Sequence, residues 1–194
     1  MSLKKIVVLF SGEGTNLENI IKKLHQKNFG LDSYEVVASI TNKKDAKGIQ
    51  ICKRYNIPYH IIEHKNYPSR EEFDARLVET INSFNPHLSV LAGFMRILTP
   101  IFTKNIKAIN LHPSLLPLFK GTNAIEKSFH SNMKVGGVSV HYVSEELDGG
   151  DIILQECFKK EENETLESFT KKIKSLEYKL LPQAIIKILG RKNG

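Results

Sequence analysis

Short apolar, β-branched runs alternate along the chain with stretches whose apolar positions recur every three or four residues. "KIVVLF" at 5–10 reads as a buried strand, Leu17, Ile20, Ile21 and Leu24 follow at helical spacing, and "YEVVASIT" at 34–41 reads as a second strand. A helical segment around 45–55, a short strand "YHII" at 59–62, and a helix with Phe73, Leu77, Ile81 and Phe84 on one face continue the alternation. "SREE" at 69–72 predicts a capping box, Ser69 accepting from the third helical amide while Glu72 reaches back to the cap amide, and Pro86 closes that helix. "LSVLAG" (88–93) and "IKAINLH" (106–112) predict two more buried strands, and "GVSVHYV" (137–143) with "DIILQECF" (151–158) a hairpin. Leu166, Phe169, Ile173, Leu176 and Leu180 mark an amphipathic C-terminal helix that Pro182 is expected to kink or restart.

This order predicts an α/β fold: a Rossmann-like three-layer α/β/α arrangement around a mostly parallel, about seven-stranded sheet, with a C-terminal hairpin and long helix. With 194 residues the chain suits one compact domain, and any division near residue 104 falls within that unit. In open sheets of this kind ligands bind beyond the carboxyl ends of the strands, so motifs there matter most.

Composition changes this picture little: 41% hydrophobic and 25% charged residues suit a chain that folds throughout. The apolar run after the two N-terminal lysines is far shorter than a membrane span or signal core, so a cytoplasmic protein with no membrane partner is expected. Cys52 and Cys157 have no metal-like spacing and read as reduced, partly buried thiols. The net charge of +7 favours anionic partners. Nucleic acid is the minor reading, because "KKIK" (171–174) and the terminal "GRKNG" lack interleaved aromatics and read as a solvated helix face.

"SGEGTN" (11–16), between the first strand and helix, suits either a phosphate cradle or a tight turn. Leu17 stands where a dinucleotide fingerprint has its third glycine, no acid follows strand two at Thr41-Asn42, and no Walker lysine is present; one phosphate is the economical inference. In "INLHPSLLP" (109–117), period two sends Asn110 and His112 to one face with Ile106 and Ala108, and Ile109 and Leu111 to the other. Pro113 ends the strand there. Alone, such a histidine is more often structural, and Asp148 in "EELDGGD" more often a turn former. Together they offer an amide donor, an imidazole and a carboxylate, the equipment for acyl transfer. With no serine or cysteine placed as nucleophile, direct attack by a substrate amine through a tetrahedral intermediate is expected.

"SGEGTN", "LAGFMRIL" (91–98), "INLHPSLLP" and "ELDGGDIILQ" (146–155), in this order, closely resemble the glycinamide ribonucleotide (phosphoribosylglycinamide) formyltransferases, within the wider folate-dependent formyltransferase group. The resemblance spans essentially the whole chain. It implies formyl transfer from 10-formyltetrahydrofolate to glycinamide ribonucleotide in de novo purine biosynthesis, with no metal and a monomer or homodimer. By matched position Asn110, His112 and Asp148 are catalytic: Asn110 and protonated His112 would stabilise the oxyanion, and Asp148 the imidazolium and a proton-shuttling water. Gly12, Glu13, Gly14, Thr15 and Asn16 would hold the phosphate, and Glu177 the amine or ribose side. Arg70, Met95, Arg96, Ile97, Leu98, Ser144, Glu145, Glu146 and Leu147 would contact the folate, the arginines meeting its glutamate carboxylates. The chain thus divides into a phosphate-binding half (1–104) and a catalytic and folate-binding half (105–194).

From the residues alone, Met95, Ile97 and Leu98 read as core packing and the arginines as solvent-exposed. Two stretches depart from the family pattern. Glu13 sets a carboxylate beside the expected phosphate, so its side chain must turn away. "LFKGTNAIEKSF" (118–129) carries Asn123 and Ala124 where many relatives have a Tyr-Pro-Gly turn followed by a histidine. Hydrolysis of the formyl folate, formylation of an amino sugar nucleotide, and a folate- or nucleotide-binding module without turnover are the competing readings.

Overall fold

The computed structural model describes residues 2–190. Its elements run β1 (Ser2–Phe10), α1 (Thr15–Leu24), β2 (Lys27–Phe29), β3 (Asp32–Thr41), α2 (Gly48–Arg54), β4 (Tyr59–Ile61), α3 (Arg70–Asn82), β5 (Leu88–Leu91), α4 (Pro100–Asn105), β6 (Ala108–His112), α5 (Ala124–His130), β7 (Val135–Tyr142), β8 (Ile152–Lys159) and α6 (Leu166–Leu189). The strand order is β2-β3-β1-β5-β6-β7-β8, with β4 also on β3. Pairing is parallel from β4 through β3, β1 and β5 to β6, then antiparallel through β7 and β8.

Side-chain alternation builds one core on each face. Ile6, Val8 and Phe10 of β1, with Ile109 and Leu111 of β6, pack towards α1 and α6, whereas Val7 and Leu9, with Ala108, pack towards α3 and Phe102 of α4. The three-layer α/β/α reading therefore holds, with an eighth strand added. That strand, β2, pairs antiparallel with the start of β3; it is three exposed residues long, and Lys27 and Asn28 carry no apolar alternation to betray it. The short helices α4 and α5 lie in stretches left unassigned above.

Two expectations about helices are corrected. α6 runs without a break through Pro182. The proline removes the amide that would bond the Tyr178 carbonyl, and the Asn19 side chain of α1 donates to that carbonyl at 2.9 Å instead. α3 ends at Asn82, short of Phe84, and its capping box forms by half: Ser69 accepts from the Glu72 amide (3.1 Å), while the Glu72 carboxylate meets the Ser69 hydroxyl (3.5 Å) rather than the cap amide. Both cysteines are free thiols, but only Cys52 is buried; Cys157 is exposed on the hairpin. Residues 191–194 of "GRKNG" lie outside the described residues.

Candidate active site

β1 delivers the chain into a left-handed turn at Gly14 (φ 75°), the residue that caps α1. A Cβ on Gly14 would stand 2.6 Å from the Cα of Gly48, so the two glycines let this loop and the start of α2 touch. The Gly48 amide donates to the Gly12 carbonyl at 3.0 Å. A Cβ on Gly12 would meet nothing within 4 Å, so its backbone borders open space, as an anion cradle requires. Glu13 turns outward to an ion pair with Lys47 (2.8 Å), both side chains exposed. Thr15 is exposed, and buried Asn16 donates to Glu177 Oε2 (3.0 Å). Lys174 meets the same oxygen at 2.7 Å.

At the carboxyl end of β6, Asn110 and His112 stand beside Asp148. Pro113 ends the strand, and the exit loop is pinned by Ser139 Oγ, which donates to the Ser114 carbonyl and accepts from the Leu116 amide. The His112 Nε2–H donates to the Phe119 carbonyl (2.8 Å), because a carbonyl can only accept. That leaves Nδ1 facing Asp148 Oδ2 at 3.4 Å. Asp148 also accepts from the Gly121 amide (2.8 Å) and from Asn110 Nδ2 (3.2 Å). Burial alone would raise its pKa, but the facing His141 ring, the Gly121 hydrogen bond and the His112 ring outweigh burial and hold it below the ordinary carboxylate value. Asp148 is therefore an anion at neutral pH.

The turn that aims Asp148 depends on its glycines. Asp148 itself is left-handed (φ 50°), and a Cβ on Gly150 would lie 1.9 Å from the Tyr142 carbonyl oxygen. The Leu-Asp-Gly-Gly run thus closes the β7–β8 connection tightly enough to bring the carboxylate back over β6.

These groups line one cleft of about 1100 Å³. Asn110, His112 and Asp148 share it with Asn16, Lys174 and Glu177, with Arg70 and the segment 95–98, and with Ser144 to Leu147. Met95 (68% exposed) and Ile97 (54%) stand out from the core, so the core-packing alternative fails for them; Leu98 alone of the three packs inward. The Arg96 guanidinium stacks 5.7 Å over Phe73, with a buried Nε lacking a protein partner. Arg70 is exposed at the first position of α3. The Thr99 amide donates to buried Asp74 (2.5 Å), fixing the end of the segment, and burial raises the Asp74 pKa.

A model of the formyl transferase family matches residues 4–185. The chain belongs to that family. It is 36% identical to the phosphoribosylglycinamide formyltransferase of Bacillus subtilis, over 98% of this chain and 97% of that one. It is 39% identical to the trifunctional purine biosynthetic protein adenosine-3 of Gallus gallus over 93% of this chain, and spans only 18% of that longer protein. Among solved structures, the phosphoribosylglycinamide formyltransferase of Campylobacter jejuni superposes with a TM-score of 0.95 at 59% identity, over 97% of this chain and 98% of that one.

In this formyl transferase the cleft gathers most residues expected from the sequence, but Gly12, Glu13, Gly14 and Thr15 do not line it. Four groups were missed. His141 sits opposite Asn110 across the β6–β7 ladder; the alternation in "GVSVHYV" already turns Ser139 and His141 to that face, but only the register shows what they oppose. Lys174 lay hidden in a basic run read as solvated. Phe119 and Gly121 act through their backbones, for which sequence carries no side-chain signal. Among the described residues no cluster of His, Cys, Asp and Glu is suited to hold a metal ion.

Proposed function

We propose that this formyl transferase moves the formyl group of 10-formyltetrahydrofolate to the amine of glycinamide ribonucleotide, giving N-formylglycinamide ribonucleotide and tetrahydrofolate in de novo purine biosynthesis. The observation that carries the reading is the convergence of Asn110, His112 and anionic Asp148 on a cleft whose lining also includes the Asn16, Lys174 and Glu177 cluster. The folate fits that lining: exposed Met95 and Ile97 offer an apolar wall, and the Arg70 and Arg96 side chains along the cleft offer positive charge to carboxylates. The open backbone at Gly12 and the amides that follow receive the phosphate, and Glu177 faces the ribose or amine side.

The amine attacks the formyl carbon, a C–N bond forms, and negative charge develops on the formyl oxygen. An Asn110 N–H and protonated His112 stabilise that charge inside a largely buried site, where such donors are worth most. Asp148 stands against Nδ1 while Nε2–H is held by Phe119, so the ring is fixed in orientation and positive charge on it in the transition state meets an anion. Collapse breaks the bond to the folate nitrogen, which takes a proton as the amine gives one up; Asp148 orders the water that relays it. The test is to follow folate product with and without glycinamide ribonucleotide. Product only when the ribonucleotide is present supports transfer; equal rates in both support hydrolysis, and no turnover in either supports a binding module.

A further inference from the structure

We infer that His141 is a positioning residue that aims the Asn110 amide at the developing oxyanion. This inference rests on the formyl-transfer reading above.

His141 is 2% exposed and sits directly across the antiparallel ladder from Asn110. Its Nδ1 lies 2.8 Å from the Tyr142 carbonyl oxygen, which can only accept, so Nδ1 carries a proton. Its Nε2 lies 3.2 Å from Asn110 Nδ2, and Asn110 Nδ2 lies 3.2 Å from Asp148 Oδ1. An amide nitrogen has two hydrogens and no acceptor capacity. The reverse orientation of the amide would set its carbonyl oxygen against the Asp148 carboxylate, two acceptors with no proton between them. Asp148 thereby selects the orientation with the nitrogen inward, and that orientation requires an unprotonated Nε2 as acceptor.

Protonated Nε2 directed to Asp148 is the alternative geometry, but that contact is 3.5 Å and would leave the Asn110 N–H pointing at another donor. The neutral Nδ1–H tautomer satisfies every group facing the ring: Asn110 from β6, Asp148 from the turn and the Tyr142 carbonyl from its own strand. One Asn110 hydrogen is then fixed on His141. The other, bonded to Asp148 at rest, is shared with the formyl oxygen when charge develops there. Without the acceptor at Nε2 the amide would rotate, and correct orientation of one donor accounts for large rate factors.

Three variants and one spectrum test this. H141L removes the acceptor, and H141Q returns an amide oxygen near the Nε2 position. Expected are a kcat loss of about tenfold or more for H141L with both KM values within about twofold, and substantial recovery in H141Q. In an N110A background, H141L should cost less than about twofold, since the residue acts through Asn110. Full, additive loss in that background, or equal kcat for H141Q and H141L, would overturn the role. Imidazole 15N shifts of the ligand-free protein should show an unprotonated Nε2 on His141; a protonated Nε2 would overturn it irrespective of turnover. Absence of ribonucleotide-dependent turnover in the wild type would instead count against the formyl-transfer reading.

Discussion

At the level of single residues, period two alone placed Asn110 and His112 together, but their function depends on partners that lie far off in the chain. Asp148 stands 38 positions from Asn110 and bonds it; taken alone in the sequence it reads as a turn former, and only beside Asn110 and His112 as a site carboxylate, and the left-handed Asp148 is indeed in a turn. We predict that H112A and D148N each lower kcat by at least about a hundredfold, the scale of lost acid–base or oxyanion groups, with glycinamide ribonucleotide KM changed little. Steady-state kinetics checks this, and near-normal kcat in either would refute the assigned roles. Glu13 was expected to turn away from the phosphate, and the structure adds the reason: Lys47, the residue that caps α2, holds it outward. Removing that cation in K47A leaves an unpaired carboxylate beside the proposed phosphate loop and should raise the ribonucleotide KM by up to about fivefold, as an exposed pair permits, while E13Q should not raise it. Equal effects of both substitutions would contradict that account.

Elements with strong periodicity were legible, because each buries a face whose spacing is set by its own geometry. β1, β3, β5 and β6 are buried on both sides and announce themselves as apolar runs. β2, α4 and α5 are three, six and seven residues long and bury little, so they leave no comparable signature. The unbroken α6 was misread because Pro182 is a helix breaker only when the carbonyl it orphans has no other donor. Asn19, on a helix 163 residues earlier, supplies one. We predict that N19A destabilises the fold by about 1 kcal/mol through the lost bond to the Tyr178 carbonyl. P182A restores an amide donor within the helix, so in that background N19A should cost distinctly less. Denaturant unfolding of the two singles and the double measures this coupling. Strict additivity would show that the Asn19 bond does not compensate for the proline.

For the molecule as a whole, the sheet reverses from parallel to antiparallel at β6, and this reversal makes the site. Parallel order brings the glycine loop after β1, the 93–98 segment after β5 and the Asn110–His112 strand end to one edge. The antiparallel β7 then lays His141 beside Asn110, and its connection to β8 folds Asp148 back over both. The order of strands was partly readable from the alternation of elements, but the β6–β7 register was not, and that register carries His141. The account therefore makes one claim for the assembled cleft: the formyl group passes directly to the ribonucleotide amine. Its most direct test uses 10-formyltetrahydrofolate carrying a 13C formyl group with glycinamide ribonucleotide, following the label by NMR. The account predicts one labelled N-formylglycinamide ribonucleotide for each tetrahydrofolate released and no labelled formate; label appearing as formate, with the ribonucleotide unmodified, would contradict it.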